Sequence, residues 1–234
     1  VTTSTSLVLP ERVRRITAQN IGSLQRGYVA DQPRAVAALA RLRRGAGKEV
    51  HQVPDLWGLT DTGPLHDPTR EGGLPPREED LAHAENAVHV ALTLWALHQQ
   101  SRSTGMHRPD RKDAPAGLGS AVRRLMPQGD IDEPILKRLV RAGHAPDLAS
   151  LAQRLREIVL LLRREDIPLD YALLAGQLWH WQRPGGRDDV RRAWGRSFHA
   201  YRPAKSTVAG SGDPAGSTPA TGLASDFDTT KDAS

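Results

Sequence analysis

Residues 77–100 read "REEDLAHAENAVHVALTLWALHQQ", and their reading decides the fold. Glu78, Glu79 and Asp80 open the segment, where the positive end of a helix dipole favours acids. Leu81, Ala84, Val88, Ala91, Leu92 and Trp95 follow with helical period, which predicts one long helix with an apolar stripe. The same period recurs on both sides. Upstream, Val13, Ile16, Ile21, Leu24 and Tyr28 lie near one face of a helix over 11–29. The segment 33–44, "PRAVAALARLRR", has proline in its first turn and Gly45 just past its end, the usual start and stop signals. Its inward side is expected to hold Ala35, Val36, Leu39 and Leu42, with Arg34 and Arg41 opposite and Arg44 on the flank. Downstream, helices are expected at 118–126 and 133–142, from an Asp147 cap to Arg164, from Pro168 through Trp181, and over 188–201 behind an aspartate cap. No stretch alternates as a strand does.

The expected fold is therefore all-α: two packed helical groups, 10–110 and 111–202, forming an elongated helical bundle and meeting near the loop at 103–117. Gly and Pro mark 60–76 as a second loop. Residues 1–9 are expected to be flexible. Residues 203–234, rich in Ser, Thr, Gly, Ala and Asp, offer too little apolar surface to offset ordering entropy and are expected to form a disordered tail.

Composition narrows the function. A chain of 234 residues suits one or two small domains with a real core. It has no cysteine, so disulfides, thiolate metal sites and a cysteine nucleophile are excluded, which fits a cytoplasmic protein. The opening "VTTSTSLVLP" lacks the basic and apolar regions of a signal peptide. The longest apolar run, "IVLLL" at 158–162, is far short of a membrane span. Net charge is +5; residues 205–234 carry −2, so residues 1–204 carry +7 with 30 basic and 23 acidic side chains. Most of the basic residues are arginine, whose planar fork suits phosphate, and a body of this sign suggests a polyanionic partner.

Catalytic and cofactor motifs fail on inspection. "GAGKE" (45–49) resembles the end of a phosphate-binding loop, but that motif needs glycine where Leu42 stands and Ser or Thr where Glu49 stands. It also needs a preceding strand. Gly45 reads as a helix stop and Gly47 as a turn residue. His83 and His89, six apart on one helix, lie too far round the axis to share a metal. His180, between two tryptophans in "WHW", reads as a packing or surface residue. The acids at 78–80 and 188–189 sit at helix starts, where the dipole accounts for them. No nucleophile elbow is present. The expectation is a protein without enzymatic activity, cofactor or metal.

The basic segments are more informative. The 33–44 helix ends in Arg41, Arg43 and Arg44. The stretch "QQSRSTGMHRPDRK" (99–112) holds Arg102, His107, Arg108, Arg111 and Lys112 with one acid. "AVRRL" (121–125) adds Arg123 and Arg124. "WQRPGGRDDVRRAWGRSF" (181–198) holds Arg183, Arg187, Arg191, Arg192 and Arg196, with Val190, Trp194, Ser197, Phe198 and Tyr201 on the buried side of a helix. Each segment alone could be an ordinary solvated face. Together they make a candidate nucleic-acid surface, and the lack of any base-reading motif points to sequence-independent contact with the backbone.

Several segments in order also resemble a known family: "LARLRRGAGKE…VPDLWGL" (39–59), "ALTLWALHQQS…MHR" (91–108), "LGSAVRRL" (118–125), "LLRREDIPLDYALLAGQLWHWQ" (161–182) and "PGGRDDVRRAWGRSF" (184–198). The set is similar to the small subunit of the type I-E CRISPR Cascade complex, the CasB family, over about residues 11–202. The resemblance implies an all-helical, non-catalytic protein present as a pair in an RNA-guided surveillance complex. Its implied partners are the backbone and large subunits, a second copy of itself, guide RNA, and target DNA including the displaced single strand. The basic face would steady the R-loop, a near-balanced exchange of duplexes that modest backbone contacts can tip. The resemblance carries over Arg41, Arg43, Arg44, Arg102, His107, Arg108, Arg123, Arg124, Arg183, Arg187, Arg191, Arg192 and Arg196. A purely structural adaptor, whose arginines dock on neighbouring subunits, is the alternative. The chain departs from the family in its tail and in longer loops at 60–76 and 109–116.

Overall fold

In a computed structural model, residues 9–66 and 76–201 are described. Among these described residues eight α-helices follow one another: α1 (Leu9–Val29), α2 (Pro33–Leu42), α3 (Glu78–Gln99), α4 (Leu118–Arg124), α5 (Glu133–Gly143), α6 (Leu148–Arg164), α7 (Tyr171–Trp181) and α8 (Gly186–Ala200). Short 3-10 turns fill part of the stretch between α2 and α3. Among the described residues there is no strand, and the all-α expectation holds. The expectations for 1–8, for 67–75 and for the tail lie outside the described residues.

α3 is the central helix. Its first turn carries the three expected acids. From Ala87 to Gln99 every residue is buried, on all sides and not on one stripe. A helix apolar all round belongs in the middle of a bundle, and α1, α2, α6 and α7 surround this one. Trp95, Tyr171 and Trp181 are the largest of the fully buried side chains. α4 and α5 complete the layer against α8 and α6.

Three aspartates cap helices by accepting a backbone N–H three residues on, which satisfies a donor the helix itself leaves open. Asp132 takes Ile135 at 3.0 Å, Asp147 takes Ser150 at 2.7 Å as expected, and Asp170 takes Leu173 at 2.9 Å. This last cap corrects the expectation that Pro168 opens α7. Leu169 instead lies beside the 106–108 segment: its N–H donates to the Met106 carbonyl (3.0 Å) and its carbonyl accepts from Arg108 N–H (3.3 Å). The α8 start is corrected too. No aspartate caps it; Gly185 does, at φ 75°, a left-handed conformation that glycine adopts without steric cost. The next residue, Gly186, sits so close to α7 that a Cβ there would lie 1.7 Å from the His180 carbonyl oxygen. In α2 the inward side is Ala35, Ala38, Leu39 and Leu42, and Val36 is exposed. Among the described residues, no helix is long and apolar enough to cross a membrane.

Candidate nucleic-acid interface

α8 builds the centre of the basic surface. Val190, Trp194 and Phe198, four apart, are its buried seam. Trp194 Nε1–H donates to Gln177 Oε1 at 2.8 Å, which fixes α8 against α7. Arg192 and Arg196 are exposed on another face of α8. There they meet Arg14 of α1 across a groove of about 510 Å³. Leu173, Gly176, Gln177 and His180 of α7 form its floor.

Gly176 explains the reach of Arg14. A Cβ on Gly176 would lie 2.8 Å from Arg14 Cγ and 2.9 Å from its Cδ, so the arginine stem lies directly on the α7 backbone. Glycine inside a helix costs about 1 kcal/mol against alanine; here it admits the stem. Arg14 was not among the sequence-derived candidates, because α1 shows itself in sequence through its apolar face. The available signal was Gly176 itself, a lone glycine inside a helical pattern.

The charges in the groove are unequal. Arg192 pairs with Asp189, which also accepts from His180 Nε2 at 3.0 Å. Those two hydrogen bonds, His180 first, hold the Asp189 carboxyl below its usual range. Among the described residues neither Arg14 nor Arg196 has an ion pair. Their guanidiniums are open to an anion from outside.

The basic loop borders one end of this groove. Its one early acid, Asp110, is used internally. Asp110 Oδ1 accepts from the N–H groups of Ala116 (2.7 Å) and Gly117 (2.9 Å), and Asp110 N–H donates to Asp170 Oδ2 (2.8 Å). Asp110 and the groove's Leu173 both abut Gly117. The carboxylate thus shapes the loop, and Arg108, Arg111 and Lys112 remain exposed on it. At the far end of α7, Arg183 stacks over Trp179 at 4.7 Å and Arg187 over Trp181 at 4.5 Å, cation–π contacts that hold both at the α7–α8 turn. Arg183 also lies 3.8 Å from Asp80.

Other candidates stand apart. Arg41, Arg43 and Arg44 are exposed at the end of α2, a separate site. Arg191 pairs with Asp188, and its stem crosses Gly143 of α5, outside the groove. Arg123 donates to the Pro127 carbonyl at 3.0 Å, and Arg124 is half-buried. Arg102 is turned to internal work: it donates to the Arg163 carbonyl and pairs with Asp166 at 3.1 Å, tying the ends of α3 and α6 together.

His107 is enclosed as well, with a side chain 8 % exposed. Its Nδ1 accepts the Tyr171 N–H at 3.2 Å, a role that requires the neutral ring. Burial lowers its pKa despite Asp170 nearby. His98, fully buried and 2.8 Å from the Tyr171 hydroxyl, is pushed down to about 3, chiefly by loss of water. Among the described residues, no group of three His, Asp or Glu side chains is placed to hold a metal ion.

The chain is similar to known proteins. The profile of the CRISPR-associated protein Cse2 family matches residues 38–199. The crystal structure of CasB from Thermobifida fusca is similar over 83% of this chain and all of that one, with 52% identity and a TM-score of 0.69. A CRISPR-associated protein of the Cse2 family from Thermus thermophilus shares the fold at 23% identity, over 79% of this chain and 98% of that one, with a TM-score of 0.54. A search of curated protein sequences returned no match.

Proposed function

Since the chain belongs to the CRISPR-associated Cse2 (CasB) family, we propose that it is the non-catalytic small subunit of a type I-E Cascade complex. In that role it holds nucleic-acid backbone without reading sequence and steadies the R-loop and its displaced strand. Its partners are then the other Cascade subunits, a second copy of itself, guide RNA and target DNA.

One observation carries this reading. Arg14 and Arg196, on two different helices, face one open groove without an ion pair among the described residues, its lining acid Asp189 being paired with Arg192 and His180, and the exposed Arg108, Arg111 and Lys112 lie on a loop bordering its end. A groove of that kind suits a phosphate chain. The structural-adaptor reading has its own support in a second, more apolar groove between α5 and α8, with Leu136, Val140, Trp194 and Phe198 among its lining.

The two readings separate on Arg14→Gln/Arg196→Gln. For backbone binding, the isolated protein binds single strands weakly and with a negative log–log salt slope. Losing two phosphate contacts flattens that slope by about 1.4, taking roughly 0.7 per contact. Assembly into the complex stays intact. An unchanged slope with lost assembly establishes the adaptor and rejects the groove.

A further inference from the structure

Four of the five tryptophans are inside: Trp95, Trp179, Trp181 and Trp194 are each at most 4 % exposed. Trp57 is 60 % exposed. It is not a loose side chain. It stands on the 3-10 turn Pro54–Leu59, and the preceding Leu56 is plugged into the protein at 1 % exposure. Gly45 makes room for that plug, since a Cβ there would lie 2.6 Å from Leu56 Cδ1. Arg41 donates to the Asp55 carbonyl, bracing the turn from α2. The indole N–H reaches the Val50 carbonyl at 3.4 Å. Backbone and ring edge are thus both held, and the following Gly58 has nothing within 4 Å of where a Cβ would be.

The surroundings of the indole say what would cover it. A protein-docking tryptophan sits in an apolar patch that excludes water. The exposed neighbours on this turn are Pro54, Asp55 and Gly58, and no other large apolar side chain of the turn is exposed. The adjoining helix end offers Arg41, Arg43 and Arg44, all exposed, and no ion pair to an acid occupies them among the described residues. A flat, held aromatic face on a turn that Arg41 contacts, with the exposed Arg43 and Arg44 two and three residues further along the chain, matches an unpaired base with its flanking phosphates. Every base has a π-face, so the contact is indifferent to sequence.

We propose that Trp57 is a stacking platform for one unstacked base of a single strand whose flanking phosphates are met by Arg41, Arg43 and Arg44. This rests on the backbone-binding reading above and adds a base contact at a site apart from the α1–α7–α8 groove.

Because the other four tryptophans are buried, acrylamide-accessible fluorescence of the full-length protein reports Trp57. The probes are oligothymidylate and an abasic strand of equal length, which has the same phosphates and no bases. The thymidylate quenches Trp57 and shields it from acrylamide; the abasic strand binds without doing either. Trp57→Ala weakens thymidylate binding roughly tenfold, leaves abasic binding unchanged, and Trp57→Phe restores most of the loss. If thymidylate binds while Trp57 stays open to acrylamide, or Trp57→Ala binds both strands as wild type does, stacking is overturned and the phosphate reading stands. If neither strand binds, the phosphate reading falls and this inference with it. Shielding by the other Cascade subunits in the absence of nucleic acid makes Trp57 a docking residue and overturns the proposal.

Discussion

His98 shows how one side chain sets a solution property. Its ring is enclosed at the end of α3, hydrogen-bonded to Tyr171, and its folded pKa of about 3 lies far below the ordinary value of 6.5. The unfolded chain therefore binds a proton that the folded chain refuses, and stability rises with pH where that holds. The stabilisation is full above pH 6.5 and is lost progressively as pH falls toward 3. Between pH 7 and pH 5 the His98 contribution falls by about 2 kcal/mol, from about 1.4 kcal/mol per unit. His89 and His107 are lowered in the same direction, by burial. Urea unfolding at the two pH values checks this: His98→Asn should lose about 2 kcal/mol less than wild type over that interval. An identical pH dependence would mean that the ring is not kept neutral by the fold. Of this, only the presence of a histidine was legible in the sequence. His107 looked like part of a basic run, and Arg102 like a phosphate ligand. Their partners, Tyr171 and Asp166, lie more than sixty positions away, and local pattern holds no record of such distances.

At the scale of elements, sequence pattern located each of the eight α-helices among the described residues, because burial of an apolar face leaves its period in the chain. It erred at ends, where backbone detail decides. Pro168 has the features of a helix start, yet its neighbour Leu169 is claimed by hydrogen bonds to 106–108. Asp188 and Asp189 suit a helix start, yet Gly185 takes the cap because α8 must turn tightly off α7. The groove arginines of α8 were legible from spacing; Arg14 was not, since its place depends on α1 lying along α7. One of the tightest contacts between elements is where α4 crosses α8. A Cβ on Gly119 would lie 2.0 Å from the Trp194 carbonyl oxygen and 2.6 Å from the Phe198 nitrogen, both backbone atoms. Gly119→Ala must push two helices apart. Overpacking of this kind costs about 1–3 kcal/mol, and the rigid backbone on the far side puts this site at the upper end. Chemical denaturation should show the loss with an unchanged m-value. A variant as stable as wild type would show that α4 is not clamped to α8 as described.

Across the whole molecule, charge is distributed unevenly along the chain. Residues 1–204 carry +7, and residues 205–234 offset this by two charges to give +5. Attraction between a basic body and a polyanion acts through the net field at low ionic strength and through local contacts once salt screens it. The screening length is about 10 Å at 0.1 M salt and about 3 Å at 1 M. Removing residues 205–234 raises the net charge without touching any guanidinium of the groove or of the Trp57 site. Single-strand affinity should then rise at about 50 mM salt, by about threefold at two charges of modest long-range weight. The gain should shrink steadily as salt is added, and the groove variants should lose their contacts equally in both chain lengths. Binding isotherms of the full and shortened chains across a salt series decide it. Equal affinities at low salt would mean that net charge does not draw the strand in and that the local arginines act alone. A gain that persisted at high salt would overturn the long-range account, since screening should remove it.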